Sequence, residues 1–282
     1  MKHIIHANIR RIRKNKLSLS LIVTICVAAS LLGGTYAWYT STDSKDNLFK
    51  GGSLAAEISE VFTPNDKWQP GEQTTKSVRV QNTGKTKGFI RLSLYEYLLA
   101  FQLDMSPQNG HGNLKTVSLE HSPVVDSNDP DTWAEAAGNQ GTYSVGGDTY
   151  LVADTAIVPN VLAGTDMYKP STDRTGNGLT NITLNFAENV FTTMPATSTV
   201  PFWLYQNGYF YYSELLEPGA FTDPLLDNVT LSENVSNAYK GALYKLRVLM
   251  DGHDATVSVF DEWNIQAGSS LFELYNEQLL VE

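Results

Sequence analysis

Apolar and polar residues alternate along most of the chain, the period-two signature of strands that bury one face. Val78 and Val80 alternate with Ser77, Arg79 and Gln81. After Asn82-Thr83-Gly84, residues Ile90, Leu92 and Leu94 alternate with Arg91, Ser93 and Tyr95, which predicts two strands joined by a turn. The same period recurs at Ile182, Leu184 and Phe186, and again at Tyr244, Leu246, Val248 and Met250. Two hairpins are marked by their turns. Trp203–Gln206 and Tyr209–Tyr212 flank Asn207-Gly208, a pair suited to the positive φ angles of a two-residue type I′ turn, and Tyr143 to Val152 is interrupted by Gly146-Gly147. Helical signal is confined to one short surface helix over Asp131–Gly138, closed by its glycine. From about 100 to 180 the alternation weakens and Gly, Asn, Asp and Pro accumulate, which predicts a loop-rich insertion. The expected fold is all-β, a jelly-roll-like β-sandwich over 59–265 with this insertion, few short helices and a C-terminal segment 266–282.

The first residues break the pattern. Lys2, Arg10, Arg11, Arg13, Lys14 and Lys16 precede an uncharged apolar run from Leu17 to Leu32, followed by Gly33-Gly34-Thr35-Tyr36-Ala37. The run is shorter than the roughly 20 residues of a membrane span, so a cleaved secretory signal peptide over 1–37 is expected rather than an uncleaved anchor. The cut falls between Ala37 and Trp38, and contact with a membrane is expected only before it. Residues 38–58 then form an extended arm, polar at first and apolar at Leu48, Phe49, Leu54, Ala56 and Ile58.

Composition narrows the function. Of 20 Lys and Arg residues six lie in the leader, as do none of the 30 acids, so the exported body carries 14 basic against 30 acidic side chains, a net charge of 14 − 30 = −16. Such a body repels nucleic acid and anionic membranes. The single cysteine, Cys26, lies inside the apolar run, so no disulfide and no thiol chemistry are expected outside the cell. Only His111, His121 and His253 remain after export, none in a His-Glu-x-x-His arrangement, and there is no Gly-x-Ser-x-Gly elbow. No enzymatic activity and no cofactor are therefore expected. One loop, Asp126-Ser127-Asn128-Asp129-Pro130-Asp131, crowds oxygen atoms as calcium ligands do, with Asp126, Asn128, Asp129 and Asp131 as the candidates. Pro130 departs from the EF-hand order, and an ordinary acidic turn is the preferred reading. The aromatic hairpin at Trp203, Tyr205, Tyr209, Phe210, Tyr211 and Tyr212 could stack sugars, although alternation assigns half of it to the core.

Four segments carry a resemblance: Gly33 to Thr40, Asn47 to Leu54, Gln69-Pro70-Gly71-Glu72 and Val80-Gln81-Asn82-Thr83-Gly84. In this order they resemble the TasA and camelysin group of exported proteins, whose leaders are removed by a SipW-type signal peptidase. Gln206 to Tyr212, Glu217-Pro218-Gly219 and Tyr239 through Trp263 look closer to its BsaA-like branch of biofilm matrix proteins. The resemblance implies a jelly-roll subunit, secreted to the extracellular matrix or cell surface of a bacterium, that polymerises with itself into fibres among other matrix components. Camelysin has been regarded as a zinc-dependent protease, and this sequence shows no recognisable zinc motif. A cell-surface adhesin or carbohydrate-binding module is the alternative function.

An assembly route follows from the arm. An open sheet edge accepts a foreign strand, so the segment carrying Leu48 and Phe49 is expected to donate a strand to a neighbouring copy, as against packing on the edge of its own domain. A head-to-tail contact of this kind does not close and gives a filament.

Overall fold

The computed structural model describes residues 40–50, 55–62, 70–106, 113–158 and 178–280. In chain order its strands are β1 (Thr40–Lys50), β2 (Ala56–Phe62), β3 (Gln73–Asn82), β4 (Gly88–Phe101), β5 (Thr142–Val145), β6 (Asp148–Val158), β7 (Ile182–Phe186), β8 (Val190–Phe191), β9 (Trp203–Gln206), β10 (Tyr209–Tyr212), β11 (Leu226–Leu231) and β12 (Leu243–Asp254). Among the described residues three α-helices accompany them: α1 (Asp131–Gly138), α2 (Ser258–Glu262) and α3 (Ser270–Leu280). Residues Trp38–Glu282 form one compact unit.

The strands form two sheets, so the fold is the expected all-β sandwich with few short helices. The larger sheet runs β1-β12-β4-β10-β9-β8 with β6 and β5 attached through β4; the smaller runs β2-β3-β11-β7. Ring contact between Phe186 of β7 and Phe210 of β10, 5.2 Å between centroids, joins the inner faces. Ile58, Val78 and Val80 of the smaller sheet and Ile90, Leu92, Leu94 and Val248 of the larger are fully buried, as the alternation requires.

Strands β3 and β4 are consecutive but belong to different sheets, so the turn expected at Asn82-Thr83-Gly84 is a crossing between layers. Asn82 makes that crossing possible. Its buried Nδ2 donates to the carbonyls of Thr86 (2.8 Å) and Leu216 (2.7 Å), and its Oδ1 accepts from the Gly84 amide at 2.9 Å. Both predicted hairpins form: β9 pairs with β10 across Asn207 and Gly208, which have φ of 50° and 85°, and β5 pairs with β6 across Gly146 and Gly147.

Strand β4 is where simple alternation fails. Ser93 is buried and Arg91 and Tyr95 are half-buried, because the outer face of the larger sheet is covered twice. At one end α2 and α3 bring Val259, Phe260, Leu271 and Tyr275 onto Phe89, Leu204 and Tyr211. At the other, the insertion brings Val125, Trp133 and Ala136 onto Tyr97, Leu99 and Phe101. The insertion also supplies β6, which pairs with β4 from Glu96 to Phe101, so part of it extends the sheet. Burial of side chains the size of Leu271 and Tyr275 contributes about 2 kcal/mol each, which fastens α3 to the sheet. Helix α1 matches its predicted bounds; α3, within the segment left unassigned at 266–282, is a helix that alternation does not reveal.

Candidate functional site

Two features of the larger sheet can carry function: its β1 edge, and a cleft on the outer face beside Arg91. Strand β1 pairs in parallel with β12 along its whole length, from Thr40 opposite Leu243 to Lys50 opposite His253. Among the described residues it is the terminal strand of the sheet, paired with β12 alone. Within a single chain the arm thus occupies its own domain's edge. The residues singled out as one donor segment divide between two sheets. Leu48 stands opposite Asp251 and Phe49 opposite Gly252, whereas Ala56 and Ile58 lie on β2, are buried, and pair antiparallel with Asn82 and Val80. Leu54 and the expected cleavage pair Ala37 and Trp38 lie outside the described residues.

The second feature is built on a row of cross-strand neighbours. Register places Asp251 of β12 and Tyr211 of β10 on either side of Arg91 of β4, and directly opposed residues share a face. Arg91 Nε and Nη2 donate to Asp251 Oδ2 at 3.0 and 2.7 Å, and Nη1 donates to the Tyr211 hydroxyl at 3.4 Å. The guanidinium lies over the rings of Tyr209 at 4.1 Å and Trp263 at 4.6 Å, with Tyr211 at 5.9 Å. Burial raises the Tyr211 pKa, and the Arg91 charge and hydrogen bond oppose that rise. Asp251 Oδ1 and Trp263 Nε1 are buried with no hydrogen-bond partner among the described residues. Unpaired buried polar atoms are uncommon in native interiors and concentrate attention on this spot.

Beside Arg91 opens a cleft of about 620 Å³. One wall is the β9–β10 turn with Gln206, Asn207 and Tyr209; the other is the loop after α2, with Trp263, Asn264, Gln266 and Ser269. Both turns owe their shape to an asparagine with φ of 50°, Asn207 and Asn264. Sequence reading does not find this site. Arg91 reads there as the polar partner of an alternating strand, and only register shows that it meets Asp251 and three aromatic rings.

The aromatic hairpin is mainly core, as alternation assigned it: Trp203, Phe210, Tyr211 and Tyr212 are buried, and Tyr205 and Tyr209 are half-buried. Two carboxylates of the acidic loop turn onto its own backbone. Asp126 Oδ1 accepts from the Asn128 amide at 2.8 Å, Asp129 Oδ1 accepts from the Asp131 amide at 3.1 Å, and the Asn128 carbonyl accepts from Lys245 Nζ at 2.8 Å. These contacts shape the entry to α1 and already bring an ammonium group to the loop.

His253 is buried at the end of β12. Its Nδ1 lies 2.7 Å from the Asp254 carbonyl, and its Nε2 lies 3.3 Å from both Ser258 Oγ and Glu262 Oε1. His121 is exposed, and His111 lies outside the described residues. Among the described residues no three His, Cys, Asp or Glu side chains converge where they could hold a metal ion. The described residues do not fit a zinc centre.

Residues 12–91 match the model of a protein family described as camelysin metallo-endopeptidase. The TasA and camelysin resemblance is thus a finding over that part of the chain, which includes β1, β2 and β3 and ends at Arg91. It also corrects the expectation of no enzymatic activity, because the matched family is described as a peptidase. No curated protein and no solved structure matches the chain.

Proposed function

From the TasA and camelysin signature over residues 12–91, we propose that the protein is an exported subunit of a bacterial biofilm matrix that polymerises into fibres by strand exchange. The match is consistent with a secreted matrix protein. In this reading a SipW-type peptidase removes the leader after Ala37, the mature body is released to the matrix or cell surface, and copies of the chain are its main partners. Other matrix components join the fibre.

The observation that carries the reading is the seat of β1. An eleven-residue terminal strand, bound at a sheet edge by one neighbour, can leave that edge and be replaced by the identical strand of another copy. The same main-chain hydrogen bonds then form between subunits as formed within one, so the exchange is nearly neutral per strand and is driven by concentration. Each subunit that gives a strand to the next and receives one from the last leaves an acceptor free at the growing end. The product is an open filament.

Removal of residues 38–50 from the mature chain, with filaments followed by negative-stain electron microscopy and sedimentation, tests this. Loss of filaments is expected, and undiminished fibres would contradict strand exchange. The peptidase description of the matched family supports a second activity, for which the assay is cleavage of casein with and without chelator. Chelator-sensitive cleavage is the outcome that description leads one to expect.

A further inference from the structure

The cleft beside Arg91 lies on the outer face of the larger sheet, and its chemistry is specific. Its volume of about 620 Å³ falls within the range of small-molecule sites. The cation is already spent: two of the guanidinium nitrogens bind Asp251, and aromatic rings lie against its flat surface. The other charged group on the lining is Glu262, which is negative and lies 3.3 Å from His253. An anionic ligand would therefore meet a neutralised cation and a carboxylate. What remains available is neutral and polar. Asn207, Asn264 and Gln266 are exposed carboxamides; Gln266 Nε2 donates to Asn264 Oδ1 at 3.0 Å, which leaves each of the three further donor and acceptor capacity, and Tyr209 presents at the rim a half-exposed ring with Arg91 over one face.

Carboxamides that pair with vicinal hydroxyls, next to an aromatic ring that covers the apolar face of a pyranose, make up the recognition chemistry of a sugar chain. A peptide would be held best by free main-chain groups of a sheet edge, and the cleft is walled by side chains of two turns instead. We propose that this cleft binds a neutral polysaccharide strand, with Tyr209 as the stacking platform and Asn207, Asn264 and Gln266 as the hydroxyl-reading groups. In a matrix, such a site fastens the protein to glycan. The site is complete within one subunit, so it stands apart from fibre formation.

The test is isothermal titration of soluble Trp38 to Glu282 with maltohexaose, cellohexaose and chitohexaose, against oligogalacturonate and a neutral hexapeptide. Saturable binding of at least one neutral oligosaccharide is expected, with no binding of oligogalacturonate or peptide. Tyr209→Ala is expected to weaken that binding at least tenfold. Should this variant fail to fold, Gln266→Ala and Asn264→Gly, at exposed positions and with glycine keeping the positive φ, carry the test, each with a severalfold loss. Absence of binding to all three oligosaccharides overturns the proposal. So does binding unchanged in the folded variants, or saturable binding of the peptide in place of the sugars.

Discussion

Asn82 shows what a single side chain does in this fold. It stands at the point where the chain leaves one sheet for the other, and its amide adds to the backbone bonds that Leu216 and Gly84 make with Gly88 and Ala55, and binds the Thr86 carbonyl. Asn82→Ala removes three hydrogen bonds of a buried side chain while Leu216 and Gly84 keep their backbone partners, and a loss of about 1–2 kcal/mol is expected in urea unfolding. A substitution that costs less than about 0.5 kcal/mol would show that the crossing is held elsewhere. Arg91 and Asp251 give the second residue-scale case. Their side chains are only 11% and 14% exposed, so removing one partner strands a charge. Asp251→Ala is expected to destabilise by about 3 kcal/mol, and Arg91→Met with Asp251→Leu by less than that single change, because the apolar pair removes both charges. The necessity for Asn82 lies in the motif Val80 to Gly84, but its reason becomes visible only once β3 and β4 fall in different layers.

Among the elements, the strands themselves were legible, and the covering of a second face of β4 was not. Strands β3, β7 and β12 and both hairpins follow from alternation and from turn chemistry at Asn207-Gly208 and Gly146-Gly147. Arg91 reads as solvent-facing because the rings that cover it, Tyr209 and Trp263, come from remote sequence. The missing signal was helical spacing: Leu271, Leu274, Tyr275 and Gln278 recur at three and four residues, as the inward stripe of α3 requires. Tyr275 anchors that helix by stacking on Phe89 at 4.0 Å and by donating its hydroxyl to the Tyr212 carbonyl at 2.9 Å. Burial raises its pKa well above the ordinary value of 10.0. Burial is also the main cause that pushes Tyr97 and Tyr212 up to about 12, with Asp131 adding to it at Tyr97 and Asp223 acting at Tyr212. Folded values raised above unfolded ones favour the neutral phenol in the fold. That stability is fully present below pH 10 and is lost as pH rises toward 12. Alkaline titration followed by circular dichroism and phenolate absorbance should therefore show a fold that is steady to about pH 10 and unfolds between 10 and 12. Ionisation of these three tyrosines near pH 10 without unfolding would contradict their burial.

For the whole molecule, the proposed function depends on which copy supplies the strand beside β12. The sequence identified the arm and its apolar residues, and the family match covers it. It did not reveal that Leu48 and Phe49 belong to one sheet while Ala56 and Ile58 belong to the other, because a sheet assignment is a long-range property that no local pattern encodes. The division limits the movable part to β1, since Ala56 and Ile58 are buried in the chain's own core. The parallel register gives a direct handle on the proposed exchange: Asp46 stands opposite Leu249, and residues 38–282 contain no cysteine. Asp46→Cys with Leu249→Cys, oxidised in dilute monomer, ties β1 to its own β12. Filament formation by this variant from Trp38 to Glu282, observed by electron microscopy with the bond closed and after reduction, is the most direct measurement. Strand exchange predicts no filaments while the bond is closed and filaments once it is reduced; fibres that form equally well with β1 tied in place would contradict it.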